Sequence, residues 1–277
     1  MFSQPAARPA VARHNSVSYP GSHRHRHHWF YVWIPLAAAV MWFGTILALL
    51  VTWLASGRPH YVSMDSDQTI AYISDVAADI LKPLFIVGCS ITAVGFFLSL
   101  AVERWARHEG RLLPNMRRRE KVMSSLAIVW SFVGGAGLIL LSIFDTKRHM
   151  RLHRVFLLIF VAGTAFSAIF TIIEFRWLDK TFGYRFRKLR IAYLFKAAYA
   201  TVLIILAIAF GALLDSKPNP GAVVEWTISF LFTLYLLSFW YDLRQSRNHA
   251  KGDLSPQHLM GYNGQVDPGM VERGSAL

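Results

Sequence analysis

Six long apolar stretches divide the chain, at 29–54, 80–102, 122–144, 155–173, 191–214 and 222–241, and nearly all its arginine and lysine falls in every second gap between them. About 20 uncharged residues are enough to cross a hydrocarbon core of about 30 Å as an α-helix. Backbone amides in lipid must be bonded internally, which a helix does within its own segment. A barrel strand would alternate apolar and polar residues over about ten positions, whereas these runs are continuously apolar. The pattern therefore predicts an all-α polytopic membrane protein, a single six-helix transmembrane bundle with both tails on one side.

Charge sets the expected orientation. The tail before the first run, the gaps after the second and fourth, and the tail after the sixth together hold 21 of the 29 lysines and arginines. By the positive-inside rule these segments, and so both termini, are expected in the cytoplasm. The third gap is the exception, because Lys147, Arg148, Arg151 and Arg154 crowd its far side. A net charge of +13 could suggest nucleic-acid binding. Basic clusters flanking spans are better matched to anionic inner-leaflet phospholipid, each residue contributing about 1 kcal/mol. No nucleic-acid partner is expected.

Cys89 is the one cysteine and falls within the second run, which excludes an intrachain disulfide and a thiol metal site. The first run is longer than the 7 to 15 residues of a signal-peptide core and is read as a retained helix. The chain thus divides into a tail at 1–28 with a basic and histidine-rich patch beside the membrane, a membrane domain at 29–244, and a second tail at 245–277. Both tails are polar enough to predict disorder. The histidines at 23, 25, 27 and 28 interleave with Arg24 and Arg26, which fits a titratable headgroup contact better than a metal site.

Small residues recur at helical spacing, including Gly88, Thr92 and Gly95, then Ser131, Gly135 and Gly137, then Gly163 and Ser167. Such spacing permits close helix approach in lipid. Pro35 is expected to bend the first helix near its start. Tryptophans and tyrosines at the ends of the runs mark the interfaces.

The polar candidates fall into three groups. On the far side, Asp75 and Asp79 stand four apart and would share a helix face, while His149, Arg151 and His153 crowd the turn before the fourth span. These two loops could pair as a cap, hold a phosphate-bearing headgroup through Arg and His, or serve only as caps and solvated loops. A hydrolytic or metal site lacks a supporting spacing. On the arginine-rich side, Arg117, Arg118, Arg119, Lys121, Arg185, Arg187, Lys188, Arg190 and Lys196 are candidates for inner-leaflet lipid contact, with the Lys196 stem expected to snorkel to the headgroups. Glu174 and Glu225 are charged candidates near span ends, Glu174 beside Arg176 or the Lys188 and Arg190 cluster. No cofactor, metal or catalytic residue is predicted.

Tyr72-Ile73-Ser74-Asp75, the turn bearing His153, Ile173-Glu174-Phe175, Lys188-Leu189-Arg190 leading to Lys196, Ala207 to Gly211, and Ala222 to Asp242 form an ordered set within the six runs. Together they resemble the Frag/DRAM/Sfk group of six-span proteins, whose membrane region is shared with the amino-terminal part of the Cwh proteins. The resemblance covers about 29–244 and is nearest to fungal Sfk-like members, departing at Val76-Ala77-Ala78-Asp79. It implies a non-enzymatic regulator or scaffold of plasma-membrane lipid organisation that supports a phosphatidylinositol 4-kinase complex or lipid asymmetry. Two alternatives stay open: a GPI-anchor lipid remodelling factor of Golgi or endoplasmic reticulum using the far-side Asp and His residues, and a small-molecule transporter.

Overall fold

The computed structural model describes residues 30–113, 118–182, 187–214 and 216–246. Its elements are all helical: a 3-10 turn at Phe30–Trp33, then α1 (Ile34–Ala55), α2 (Ile73–Ala77), α3 (Lys82–His108), α4 (Arg118–Ile143), α5 (Thr146–Phe182), α6 (Arg187–Leu213) and α7 (Pro218–Gln245). With the 3-10 turn counted as the start of α1, every helix but the short α2 is long and apolar enough to cross a membrane. At about 1.5 Å per residue a helix of 27 residues such as α3 reaches about 40 Å. The spans therefore overhang the hydrocarbon core. The helices extend beyond the apolar runs because charged residues at their ends, such as Glu103 and Arg107, continue the same backbone hydrogen bonding.

Each span packs against the one before and the one after it, and α7 returns to α1, with an added contact to α3. The connections from α4 to α5, α5 to α6 and α6 to α7 are short, so those helices pack as antiparallel neighbours. The arginine-rich end gathers the start of α1, the end of α3, the start of α4, the end of α5, the start of α6 and the end of α7. Pro35 lies in the first turn of α1, after the 3-10 segment. There its missing N–H removes no helical bond, so it starts the helix and does not bend it.

Aromatic rings fill the centre. Phe96 packs edge-on against Phe232 and Phe239, and Trp42 packs against Phe232 while donating its indole N–H to the Ser229 carbonyl at 2.8 Å. The large apolar side chains that face outward, such as Val40, Phe43, Val87, Leu158, Ile205 and Ile208, have lipid as their natural surroundings.

Small residues bring α4 and α5 together. A Cβ added to Gly163 would lie 2.6 Å from the Gly134 Cα, and one on Gly137 would lie 2.7 Å from the Phe160 N. The Ser167 hydroxyl donates across the same seam to the Ala127 carbonyl at 2.8 Å. The obstacle to a larger residue is backbone on both sides. Gly163→Leu is therefore expected to cost about 3 kcal/mol, the upper part of the overpacking range. Thermal unfolding in detergent checks this, and an unchanged midpoint would contradict the packing.

Candidate functional site

At the far end, the segment between α1 and α3 is sewn down onto the bundle by its own polar groups. Asp75 stands in the first turn of α2, where its carboxyl accepts from the Tyr72 N–H at 3.1 Å and the Ser63 hydroxyl at 2.6 Å. The next amide, of Ile73, donates to Glu225 of α7 at 2.7 Å, and the Trp226 indole donates to the Ala71 carbonyl at 2.9 Å. The Asn219 carboxamide oxygen receives the Thr69 and Ile70 amides at 2.7 and 2.9 Å. The Tyr72 and Ile73 N–H groups at the start of the short helix are thus satisfied by carboxyls of its own turn and of α7, while Asn219 holds the stretch of chain leading into it. Burial raises the Asp75 pKa even against the two hydrogen bonds it accepts. Tyr72, half-buried beside Glu225 and Asp75, has its pKa pushed up to about 12 by that partial burial and by the two carboxyls.

The predicted far-side group does not converge. Asp75 and His153 are buried, whereas Asp79 lies in the turn beyond α2 and is exposed, as are His149 and Arg151. Asp79 leaves the Asp75 face because α2 ends at Ala77. His149 has non-helical backbone angles, φ −136° and ψ 48°, and its ring packs edge-on to Phe144 at 5.6 Å. His153 sits one turn further and its Nδ1 lies 2.9 Å from both the Leu141 and Phe144 carbonyls. Nδ1 must carry the proton to donate to them, which leaves Nε2 as the other polar group of a ring that feels the Asp75 charge.

The two far-side loops do pair, but with the polarity reversed from acidic first loop against basic third loop. Lys82, at the start of α3, binds Asp145 in the turn between α4 and α5, and the Arg148 N–H donates to the same carboxylate at 2.8 Å. Burial alone would raise the Asp145 pKa, but Lys82 and Arg148 prevail and hold it below its ordinary 3.8. The stabilisation is therefore fully present above pH 3.8 and is lost as pH falls through the lower folded value. Asp145→Asn is expected to cost about 1.5–3 kcal/mol, the worth of a hydrogen bond to a charged group. Detergent unfolding at neutral pH should show that loss, and the gap to wild type should shrink only on strong acidification. A gap that vanishes by pH 6 would contradict the pairing.

The arginine-rich end holds a network that the sequence did not announce. Within α3, Arg107 donates to Glu103 one turn back at 2.7 Å, and its Nε lies 3.7 Å from Glu174 of α5. Lys196 of α6 donates to Asp242 of α7 at 2.6 Å. The two cations share an aromatic seat, since both lie over Phe175, at 4.9 and 5.1 Å, and Lys196 also lies 3.8 Å from the Phe239 ring centre. All five charged residues are buried or nearly so. The cluster ties α3, α5, α6 and α7 together at one depth.

Two expectations change accordingly. Lys196 does not snorkel to the headgroups, because a carboxylate on the neighbouring helix is nearer than the interface, and it is only 6% exposed. Glu174 meets Arg107 across the helix seam, whereas Arg176 beside it in sequence points outward. Glu225 is half-buried at the far end, holding α2. Of the proposed lipid contacts, Arg118, Arg119 and Lys121 are exposed at the start of α4. Arg117 and Arg185 lie outside the described residues, as do the side chains of Arg187, Lys188 and Arg190 and the tail histidines. Arg107, Glu103, Asp242, Lys82 and Asp145 were missed as site residues. The signal available was the Glu103 and Arg107 spacing of four at a span end, together with a lone Lys196 whose partner had to be sought on another helix.

Among the described residues no three of His, Cys, Asp and Glu form a group able to hold a metal ion. The arrangement offers two polar collars around an aromatic middle, with an exposed basic rim at one end. Such a rim can bind phosphate-bearing headgroups through charge-assisted hydrogen bonds.

A family model described as the Frag1/DRAM/Sfk1/Cwh43P N-terminal domain matches residues 30–246. Two curated relatives are similar to the chain. Protein sfk1 of Schizosaccharomyces pombe is 33% identical over 215 residues, covering 77% of this chain and 64% of that relative. Protein SFK1 of Saccharomyces cerevisiae is 25% identical over 294 residues, covering 80% of this chain and 82% of that relative. No solved structure matches.

Proposed function

Because the chain belongs to the Frag1/DRAM/Sfk1/Cwh43P N-terminal domain family, we propose that it is a non-enzymatic regulator or scaffold of plasma-membrane lipid organisation. Its arginine-rich end faces the cytoplasm, contacts anionic inner-leaflet phospholipid or phosphoinositide, and offers a docking site for a phosphatidylinositol 4-kinase complex. Family membership supports a lipid-related role in the membrane. The observation that carries the finer reading is the exposed basic rim: Arg118 and Arg119 with Lys121 on α4, Arg176 on α5 and Arg244 on α7 all project from one end of an apolar bundle. The charged side chains inside that end are engaged with one another, so the rim is what remains for lipid or a partner.

The remodelling alternative asked Asp75, Asp79, His149 and His153 to act together, and two of the four face inward while two face solvent. A transporter would ordinarily place polar or broken helices at the midplane, where this bundle packs Phe96 edge-on and tilted against Phe232 and Tyr235.

The test is binding of a short-chain phosphatidylinositol 4-phosphate to the detergent-solubilised protein, with short-chain phosphatidylcholine as control. At about 1 kcal/mol for each basic residue near the surface, Arg118→Ala with Arg119→Ala should weaken binding by about 2 kcal/mol, roughly 30-fold. In cells, loss of the protein should lower plasma-membrane phosphatidylinositol 4-phosphate. Unaltered phosphoinositide with defective delivery of GPI-anchored proteins would overturn the reading.

A further inference from the structure

A cavity of about 80 Å³ lies inside the span ring, lined by Trp42 of α1, Ala168 of α5, Ala200 and Leu203 of α6, and Phe232 and Tyr235 of α7. Tyr235 stands 17 residues after the start of α7 and ten before its end, about 25 and 15 Å along the helix. The cavity thus sits near mid-membrane, just beyond the Lys196 and Asp242 pair. Its room comes from alanines on facing helices. A span built of larger residues would have closed it.

The wall between α5 and α6 is not sealed. Val161, Ala165, Ile204 and Ala207 line the cavity yet are only half-buried. On the same helices Leu158, Ile205 and Ile208 face outward, at 68, 59 and 68% exposure. At this depth the mouth opens onto hydrocarbon. Helix α6 is also the least buried span, with 17% of its apolar window covered. It is pinned near its two ends, by Lys196 to Asp242 and by the Tyr72 hydroxyl to the Leu214 carbonyl at 3.4 Å, and by Tyr199 to the Leu231 carbonyl at 2.7 Å. Alongside the cavity its packing is incomplete.

What fills the space follows from chemistry. Water needs two to four polar partners, and an apolar void stays dry. Here the lining is almost wholly apolar, and the Ser229 carbonyl is already used by Trp42. An empty void leaves its walls without contacts. The two lining residues with a buried hydroxyl that lacks a hydrogen-bond partner turn it elsewhere, Tyr235 toward the Glu103 and Asp242 charges and Thr164 against Gly134 of α4, so neither supplies a water in the cavity. The volume is several times what one water requires but below the 300 Å³ or so of a ligand-sized pocket. A slender unbranched chain suits it better than a fused-ring lipid.

We propose that this cavity is an intramembrane lipid site that takes one acyl chain of a membrane lipid, entering between α5 and α6 and completing the packing of α6 against α1 and α7. The site is independent of the headgroup contacts at the basic rim.

The test uses the full chain in liposomes containing phosphatidylcholine with a mid-chain diazirine, photolysed and mapped by peptide mass spectrometry. Adducts are expected on Thr164, Ala200 and Leu203 of the lining, resolved by fragmentation from the outward-facing Phe166, Val202 and Ile205. Ala168→Phe should fill the cavity and lower those adducts about tenfold, with adducts on the outward Val40 and Phe43 of α1 unchanged. Ala207→Phe, at the half-buried mouth, repeats the test should the first variant not fold. Equal labelling of the lining in wild type and filled variants would overturn the site. Labelling by a diazirine sterol but not by the acyl probe would overturn the assignment of its occupant.

Discussion

Lys196→Met should cost about 3–5 kcal/mol of unfolding free energy, because it leaves the Asp242 carboxyl buried without its cation. The ammonium lies 2.6 Å from that carboxyl and only 3.8 Å from the Phe239 ring centre, so both an ion pair and a cation–π contact are lost. A long apolar Met fills most of the space, which isolates the electrostatic loss from a packing loss. Lys196→Met with Asp242→Leu removes both charges, and replacing a buried pair by apolar residues is often neutral. Most of the stability should therefore return. Denaturant titration in mixed micelles measures both, and a double variant as unstable as the single would contradict the pairing as the cause.

Arg107→Leu should be about as costly, roughly 3–5 kcal/mol. Arg107 is 7% exposed and faces Glu103 on its own helix and Glu174 on α5. Removing it leaves two buried carboxylates near each other with their shared cation gone. Arg107→Lys should recover only part, since an ammonium is a point charge and lacks the planar fork that reaches two partners. Arg104→Leu provides the contrast. Arg104 is half-buried and donates to the Lys121 carbonyl at 2.6 Å, so its loss should cost no more than about 1 kcal/mol. Equal losses at 104 and 107 would show that charge density and not the buried network governs this end.

The spans were legible from composition alone because a bilayer demands continuous apolar length, and that demand is local in sequence. Helix ends were less legible. Glu103 to His108 and Arg118 to Lys121 carry charge, so they read as loop, yet they continue α3 and open α4. Side-chain partnership was the least legible feature. Lys196 and Asp242 are 46 positions apart, and Lys82 and Asp145 are 63 apart. Only the ring order of the helices brings them together. The same limit explains Asp75 and Asp79: a spacing of four implies a shared face only if one helix contains both, and α2 stops too soon. The Tyr72 to Asp75 segment was singled out by resemblance. Its physical role, a one-turn helix held by Glu225 of α7, depends on contacts that no spacing reveals.

The exposed basic rim is expected to face the cytoplasm. Cys89 is buried, so a Cys89→Ala background carrying either Asp67→Cys in the far-side segment or Arg119→Cys in the rim permits labelling of intact cells with a membrane-impermeant maleimide. Labelling is expected at 67, with protection at 119 until the membrane is opened. Labelling at 119 with protection at 67 would reverse the orientation and remove the basis for inner-leaflet lipid contact.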